Sequence, residues 1–333
     1  MTDVLNRIAV VIIGVNSASY VKACIESVRA ADYPQELLEI IYVDGGSRDA
    51  SAKIARACAG VSVFELRDRH PTPGRGRNAG WRATDADFVQ FLDADTLLDP
   101  LWFLTALGHF TGTVGAVCGR RRERFPGKNI FHKITDAEWR YEYGPCRYFG
   151  GDVLVRRETL TTTGGFDESL IAGEDPELSY RIRHAGWQIL RIDAPMTLHD
   201  INMSSLRQYC RRAYRSGYAY AEIGLRLIGQ PEKMWLRELV RICGRACLPP
   251  ALLAVGLLAG QPAAGLLLAT LVLLLPFARV HSFMTNFSLS LPEALAYAAH
   301  ASMVIYPQLF GALRYLAGKL FSRPLQNKGI AAP

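Results

Sequence analysis

Residues 88–92, Phe-Val-Gln-Phe-Leu, run into Asp93-Ala94-Asp95-Thr96. The run reads as a buried strand, and two carboxylates one residue apart sit at its carboxyl end. In an open α/β sheet, ligands bind at that end of the strands. Two hard oxygen ligands there suit Mg²⁺ or Mn²⁺ carrying a diphosphate. They equally suit a strand that ends in an Asp-rich turn, so the residues on either side carry the weight.

Those neighbours alternate between strand and helix. Residues 8–15 form an apolar run fit for a buried parallel strand. Ser17 or Ser19 is placed to cap a following helix with Val21, Ile25 and Val28 on one face. A second strand over 38–43 ends at Asp44, a helix follows over 50–58, and a strand over 61–66. A further helix ends over 81–84, and 114–118 adds another strand. This alternation implies an α/β fold with a doubly wound, mostly parallel sheet. Residues 119–147 are basic and irregular, with Arg120, Arg121, Arg122, Arg124, Lys128 and Lys133; they read as an acceptor-side loop or a solvated face.

The 333-residue chain has room for two domains, or for one α/β domain with appendages. Its apolar residues are unevenly spread. Residues 246–278 carry no charged side chain, and 294–313 carry only His300 among near-neutral ionisable groups, beside Tyr297 and Tyr306. A span needs about 20 apolar residues, so this end reads as membrane helices. Gln261-Pro262 either turns a tight hairpin or bends one long helix, and 294–317 reads as a further span or an interfacial helix. Arg237, Arg241 and Arg245 precede the first run, and Lys319, Arg323 and Lys328 follow the last. Positive charge on both flanks predicts both ends on the cytosolic side and an even number of spans. Met1-Thr2-Asp3-Val4 has no leader pattern, so the soluble part is expected in the cytosol. Cys24, Cys58, Cys118, Cys146, Cys210, Cys243 and Cys247 contain no Cys-x-x-Cys, and seven thiols fit a reduced compartment. The net charge of +7 fits anionic lipid; a nucleic-acid partner is not expected, because neither an aromatic-basic nor a helix-turn-helix signature is present.

Further motifs offer chemistry. Asp44 is followed by Gly45-Gly46-Ser47-Arg48-Asp49, a carboxylate for a nucleobase or ribose, or a turn in which Asp49 caps the next helix. Gly74-Arg75-Gly76-Arg77-Asn78-Ala79-Gly80 is not placed after the first strand as a dinucleotide fingerprint must be, which excludes a Rossmann dehydrogenase. Its arginines suit a diphosphate, with Arg77 better placed against the helix start. Gly164-Gly165-Phe166-Asp167-Glu168 leads to Gly173-Glu174-Asp175-Pro176. This is a helix N-terminus whose carboxylates also suit a general base. His199, at the end of an extended stretch, is either structural or a ligand of metal or diphosphate. Arg207, Arg211 and Arg215 share a helix face, suited to lipid headgroups, a leaving diphosphate or solvent.

Taken in order, these pieces over about residues 7–218 resemble a family 2 glycosyltransferase with a GT-A fold. Asn16 follows the first strand; Val43 to Asp49 is similar to the family's Val-Asp-Asp-Gly-Ser-Thr-Asp turn; Arg77-Asn78-x-Gly80, Phe91 to Asp95, Gly164 to Glu168 and Glu174-Asp175 match the later landmarks. Leu206-x-Gln208-Tyr209 before a basic helix and an apolar tail resembles the membrane-tailed bacterial exopolysaccharide branch, of succinoglycan type. Two departures stand out. Gly45 replaces the second Asp of the turn, which weakens the case for uridine, and Arg212 replaces the Trp of a processive Gln-x-x-Arg-Trp.

The resemblance implies an inverting transfer of a single sugar from a nucleotide-sugar to a lipid-linked saccharide or polyprenyl-phosphate acceptor, with Mg²⁺ or Mn²⁺. It implies Asp175 as base, and Asp95, Asp93 and His199 at the metal. Asn16, Asp44, Arg77, Asp93 and Arg211 fall to the donor, with Glu174, Gly150 and Gln208 secondary. The implied division is a catalytic domain over 1–218, interfacial helices over 219–245, membrane helices over 246–318 and a cytosolic tail over 319–333. The implied location is the inner (plasma) membrane, multi-pass, with the catalytic domain cytosolic. A non-catalytic nucleotide-sugar sensor or scaffold with the same fold is the alternative.

Overall fold

The apolar runs pair into a nine-stranded mixed sheet, seen in a computed structural model that describes residues 6–67 and 71–321. Met1 to Val4, Arg323 and Lys328 lie outside the described residues. The elements of the sheet unit run β1 (Ile8–Gly14), α1 (Val21–Arg29), β2 (Leu38–Asp44), α2 (Ser51–Ala57), β3 (Val61–Glu65), α3 (Pro73–Arg82), β4 (Phe88–Asp93), β5 (Thr96–Leu98), α4 (Trp102–Leu107) and β6 (Val114–Glu123). After α5 (Ile130–Glu138) come β7 (Gly144–Pro145), β8 (Val153–Arg156), α6 (Arg157–Thr163), α7 (Glu174–His184) and β9 (Gln188–His199).

The strand order is β3-β2-β1-β4-β8-β6-β9-β5, with β7 paired to β9. β1 pairs in parallel with β2 and β4, and β2 with β3. These central strands are buried on both faces, Ile8 to Ile12 fully so, as helices packed on both sides of a parallel sheet require. Val21, Cys24, Ile25 and Val28 of α1 face that core. Neither serine caps the helix: the N-cap is Tyr20, without a side-chain bond, and the Ser17 carbonyl accepts from the N–H groups of Tyr20 and Val21.

β8 enters antiparallel to both β4 and β6, while β6 and β9 run parallel to each other. As a result β4, β6 and β9 finish at the same rim where β8 begins. The expected irregular stretch after residue 118 is a correction: β6 continues to Glu123, and α5 follows. Bulges after Cys118 and Arg120 break the simple two-residue alternation there.

α3 also differs from expectation. It starts at Pro73, capped by Thr72, whose hydroxyl accepts from Arg75 N–H at 3.3 Å, so Arg77 lies in the second turn rather than at the start. Glycine within a helix costs about 0.5–1 kcal/mol relative to Ala, but at Gly80 a Cβ would strike the Val11 side chain of β1. The missing side chain lets α3 press on the sheet.

A second unit comprises Pro126–Glu138, which contains α5, together with the described residues from Asn202 onward. Its elements are α8 (Leu206–Arg226), α9 (Leu236–Leu258), α10 (Pro262–Leu274), α11 (Val280–Asn286), α12 (Leu291–Met303) and α13 (Ile305–Leu320). Gly256 of α9 and Gly265 of α10 meet so closely that a Cβ on Gly256 would lie 2.7 Å from the Gly265 Cα. The chain therefore turns a hairpin at Gln261-Pro262. Among the described residues, two runs are long and apolar enough to cross a membrane, Leu236–Leu258 and Pro262–Asn286. The first starts earlier than the charge-free segment, so Arg237, Arg241 and Arg245 lie within α9. The expected third segment is two shorter helices, α12 and α13, broken at Val304. Within this unit α5 is tied to α12 by Lys133–Glu293 at 3.0 Å and Glu138–His300 at 3.2 Å.

Gly80→Ala is expected to destabilise the sheet unit by about 1–3 kcal/mol, the usual cost of overpacking a filled core. Denaturant unfolding measures it, and a neutral substitution would contradict the close helix–sheet contact.

Candidate active site

Each acidic residue reaches the rim for a local reason. Asp93 ends β4, and Asp95 follows in the turn into β5. His199 ends β9, which pairs with β5 so that Thr96 lies opposite His199. Asp152 precedes β8, whose antiparallel register sets Val153 beside Phe91. Glu174 and Asp175 open α7 after Gly173, whose φ of +83° lies in the left-handed region that glycine tolerates.

Arg77 of α3 joins the pieces. Its side chain is 3% exposed. Nη1 donates to Glu174 Oε1 at 2.7 Å and lies 3.3 Å from Asp175 Oδ1, while Nη2 donates to Asp93 Oδ1 at 3.0 Å. The guanidinium also rests 5.4 Å over the Phe166 ring. Surrounded by three carboxylates, it holds its proton more firmly than usual despite burial.

A second guanidinium sits across Asp93. Arg121 Nη2 is 2.7 Å from His199 Nδ1 and 3.8 Å from Asp93 Oδ2. Its Nε is 3.5 Å from the fully buried carboxylate of Asp152, and its plane lies 4.5 Å from the Trp139 ring. Asp152 Oδ2 accepts from the Thr197 hydroxyl at 2.7 Å. Gly151 leaves room between these groups: a Cβ there would come within 2.9 Å of Asp93 Oδ2 and 3.1 Å of Arg77 Nη2.

Carboxylates outnumber guanidiniums at this rim. Asp93, Asp95, Asp152, Glu174 and Asp175 face only Arg77 and Arg121 within this group. Burial and the neighbouring Asp93 push Asp95 up to about 8, against the pull of Arg121. Burial pushes Asp175 up to about 7; Arg77 opposes the shift, while Glu174 and Asp93 add to it. Burial raises Asp152 as well. Asp152 Oδ1 and Asp175 Oδ1 are buried and accept no hydrogen bond. One ligand atom each from Asp93, Asp95 and His199 lie within 4.8 Å of one another. Two carboxylates and an imidazole form a donor set suited to a divalent ion such as Mn²⁺.

The structure therefore draws Arg77, Asp93, Asp95, Glu174, Asp175 and His199 together. Asn16 and Asp44 stand on rim loops that brace each other. The Asn16 N–H donates to Ser47 Oγ and its Oδ1 accepts from Arg48 N–H, while Asp44 Oδ1 accepts from Gly46 and Ser47 N–H. Asp49 spans the same loops, accepting from Ala18 and Ser51 N–H, but α2 has its N-cap at Ala50. Arg77, expected to face a diphosphate, contacts the carboxylates of Asp93, Glu174 and Asp175. Gly151, rather than Gly150, lies against the Asp93 carboxylate. Arg211 and Gln208 belong to α8 in the other unit, where Gln208 Oε1 closes the helix start by accepting from Ser204 and Ser205 N–H. Arg121, Trp139, Gly151, Asp152 and Thr197 were not visible as site residues. Asp152 carried one signal, a carboxylate just before the apolar run 153–155.

The family described as Glycosyl transferase family 2 matches residues 9–166, and that described as Glycosyl transferase family group 2 matches residues 88–309. The pre-mycofactocin glycosyltransferase of Mycobacterium tuberculosis is 29% identical over 218 residues, 61% of this chain and 45% of that protein. The succinoglycan biosynthesis protein ExoA of Rhizobium meliloti is 27% identical over 202 residues, 55% of this chain and 60% of that protein. The matched part thus spans less than two thirds of either relative. The solved mannosyltransferase PcManGT of Pyrobaculum calidifontis, in complex with GDP-Man and Mn²⁺, has a TM-score of 0.68 at 19% identity, covering 95% of this chain and 89% of that one. At that identity the likeness is one of fold, a GT-A-like α/β sheet.

Arg77→Leu is expected to cost about 3–5 kcal/mol, because it leaves buried carboxylates unpaired. The deficit should shrink as pH falls from 8 to 5.5. Burial already raises Asp175 and Arg77 opposes that shift; without Arg77 the folded Asp175 carboxyl rises further, so the folded variant takes up more protons than the unfolded chain in that window. Urea unfolding at the two pH values measures both effects.

Proposed function

This chain belongs to glycosyltransferase family 2, and we propose that it transfers one sugar, with inversion at the anomeric carbon, from a nucleotide-sugar to a hydroxyl or phosphate of a lipid-linked acceptor. The reading places this step at the cytosolic face of the inner membrane, in the synthesis of a surface polysaccharide. The observation that carries it is Arg77, whose one guanidinium bridges Asp93 of the candidate metal cluster and Asp175 at the start of α7. That bridge sets a carboxylate suited to accept a proton beside a cluster suited to hold a metal diphosphate.

Asp93, Asp95 and His199 are the residues that would hold the ion. Once bound, a divalent ion supplies Lewis-acid neutralisation of a departing diphosphate. A nucleotide-sugar donor and Mn²⁺ are supported by the complex of the structural neighbour PcManGT. Asp175 acts as general base: the carboxylate, held in the pocket wall by Arg77, takes the proton from the acceptor hydroxyl. A base of pKa about 7 is well matched to that task near neutral pH. Positioned bases contribute about 10²–10⁴-fold. Glu174 and Asp93 steady the Arg77 guanidinium and so the base. Asn16 and Asp44 shape the rim loops that would receive the nucleoside. Two helices suited to cross a membrane and the succinoglycan relative support the lipid-linked acceptor and the membrane location. The division into a catalytic domain over 1–218, interfacial helices, membrane helices and tail belongs to the same proposal.

Asp175→Asn should lower kcat by about 10²–10⁴-fold and leave the dissociation constant of the nucleotide-sugar within twofold. In the wild type, kcat should rise with pH through about 7, because only the deprotonated carboxylate accepts a proton. Product-release kinetics in detergent with a polyprenyl-phosphate or lipid-saccharide acceptor test both. Near-normal turnover in the variant would remove the base assignment.

A further inference from the structure

We propose that Arg121 makes the metal cluster a poor site for a bare divalent ion and a good one for a metal–diphosphate, so that metal and donor enter as a unit. The inference rests on the metal-dependent reading above. It stands on where the guanidinium sits. Nη2 lies 2.7 Å from His199 Nδ1, 3.4 Å from His199 Nε2 and 3.8 Å from Asp93 Oδ2, which brings a fixed positive charge against two of the three candidate ligands. Guanidinium carries donors only, so the ring nitrogen facing it must accept. The other ring nitrogen, Nε2, lies 3.6 Å from Asp95 Oδ2, so His199 is held between the guanidinium and a second candidate ligand. Like-charge repulsion and an engaged imidazole both weaken binding of a lone cation.

The same guanidinium is held in place from behind. Asp152 sits 3.5 Å from Nε, and the guanidinium carbon lies 4.5 Å from the centre of the Trp139 ring. Nη1 faces the Gly150–Gly151 backbone, where a Cβ on either glycine would come within 3.4 Å of it. A guanidinium fork matches the oxygens of a phosphate. Diphosphate charge offsets the repulsion that a bare ion meets, so the two ligands assist each other. Arg121 is thus a positioning residue for the ion and a contact for the donor.

The test titrates Mn²⁺ into the full-length protein in detergent, followed by electron paramagnetic resonance of the free ion, and then UDP and GDP at saturating Mn²⁺. Arg121→Met should bind Mn²⁺ alone at least tenfold more tightly and the diphosphates at least tenfold more weakly. Arg121→Lys, which keeps the charge, should bind Mn²⁺ as the wild type does. Because Arg121→Met leaves Asp152 buried without its partner, Arg121→Met/Asp152→Asn provides a second variant, expected to gain at least threefold in Mn²⁺ affinity. A merely structural role for Arg121 would lower Mn²⁺ affinity in these variants, and unchanged or weaker Mn²⁺ binding in both would overturn the proposal. Asp95→Asn separates the two readings: if it binds Mn²⁺ as the wild type does, the metal assignment itself fails, whatever Arg121 does.

Discussion

Asp93, Glu174 and Asp175 come from β4 and from the start of α7, and they share one guanidinium, that of Arg77, on α3. Bringing three carboxylates together without it would be strongly opposed by desolvation and mutual repulsion. Arg77 itself depends on the close seat of α3 on β1, which Gly80 permits. The sheet, the helix and the acidic cluster are therefore one mechanical problem. Burial lifts Asp175 toward neutrality while Arg77 keeps it from rising further, and that balance is what a base working near pH 7 needs.

The rim owes its composition to strand direction. β4, β6 and β9 run the same way and deliver Asp93, Arg121 and His199 to one edge. β8 runs against them and starts there, which brings Gly151 and Asp152 to the same edge. A single reversed strand thus adds a carboxylate and a glycine to a rim built by its parallel neighbours. The second guanidinium follows from it: Arg121 is held by Asp152 and Trp139, and its Nη1 lies beside the Gly150–Gly151 backbone. The rim then has two guanidiniums with different neighbours. Arg77 faces Asp175 and Glu174, and Arg121 faces His199 and Asp152, with Asp93 between them.

In the second unit, small residues set the packing. Gly256 and Gly265 let α9 and α10 meet backbone to backbone, and Gly217 and Gly311 do the same for α8 and α13. Close helix pairing through small residues is common among membrane helices. Outward faces of α9, α10 and α13 carry large apolar side chains such as Leu257, Leu258, Leu266, Leu267, Phe310 and Leu313, as a lipid-facing surface would.

The sequence by itself determined the alternation of apolar strands and helices, the paired carboxylates after β4, the acidic start of α7 and the charge-free C-terminal runs. Each is a local pattern, because strand burial, capping and membrane length are written over a few neighbouring residues. Membership of the glycosyltransferase family was legible from the order of those patterns. Only the tertiary structure decided that Arg77 faces carboxylates, that Arg121 and Asp152 belong to the pocket, and that Gly151 lies against Asp93. Those facts depend on the reversed direction of β8, on the bulges in β6 and on pairing between strands far apart in the chain. Strand polarity and long-range register leave no periodic trace in a single sequence, so the charges that Arg121 and Asp152 bring to the site could be read only from the folded chain.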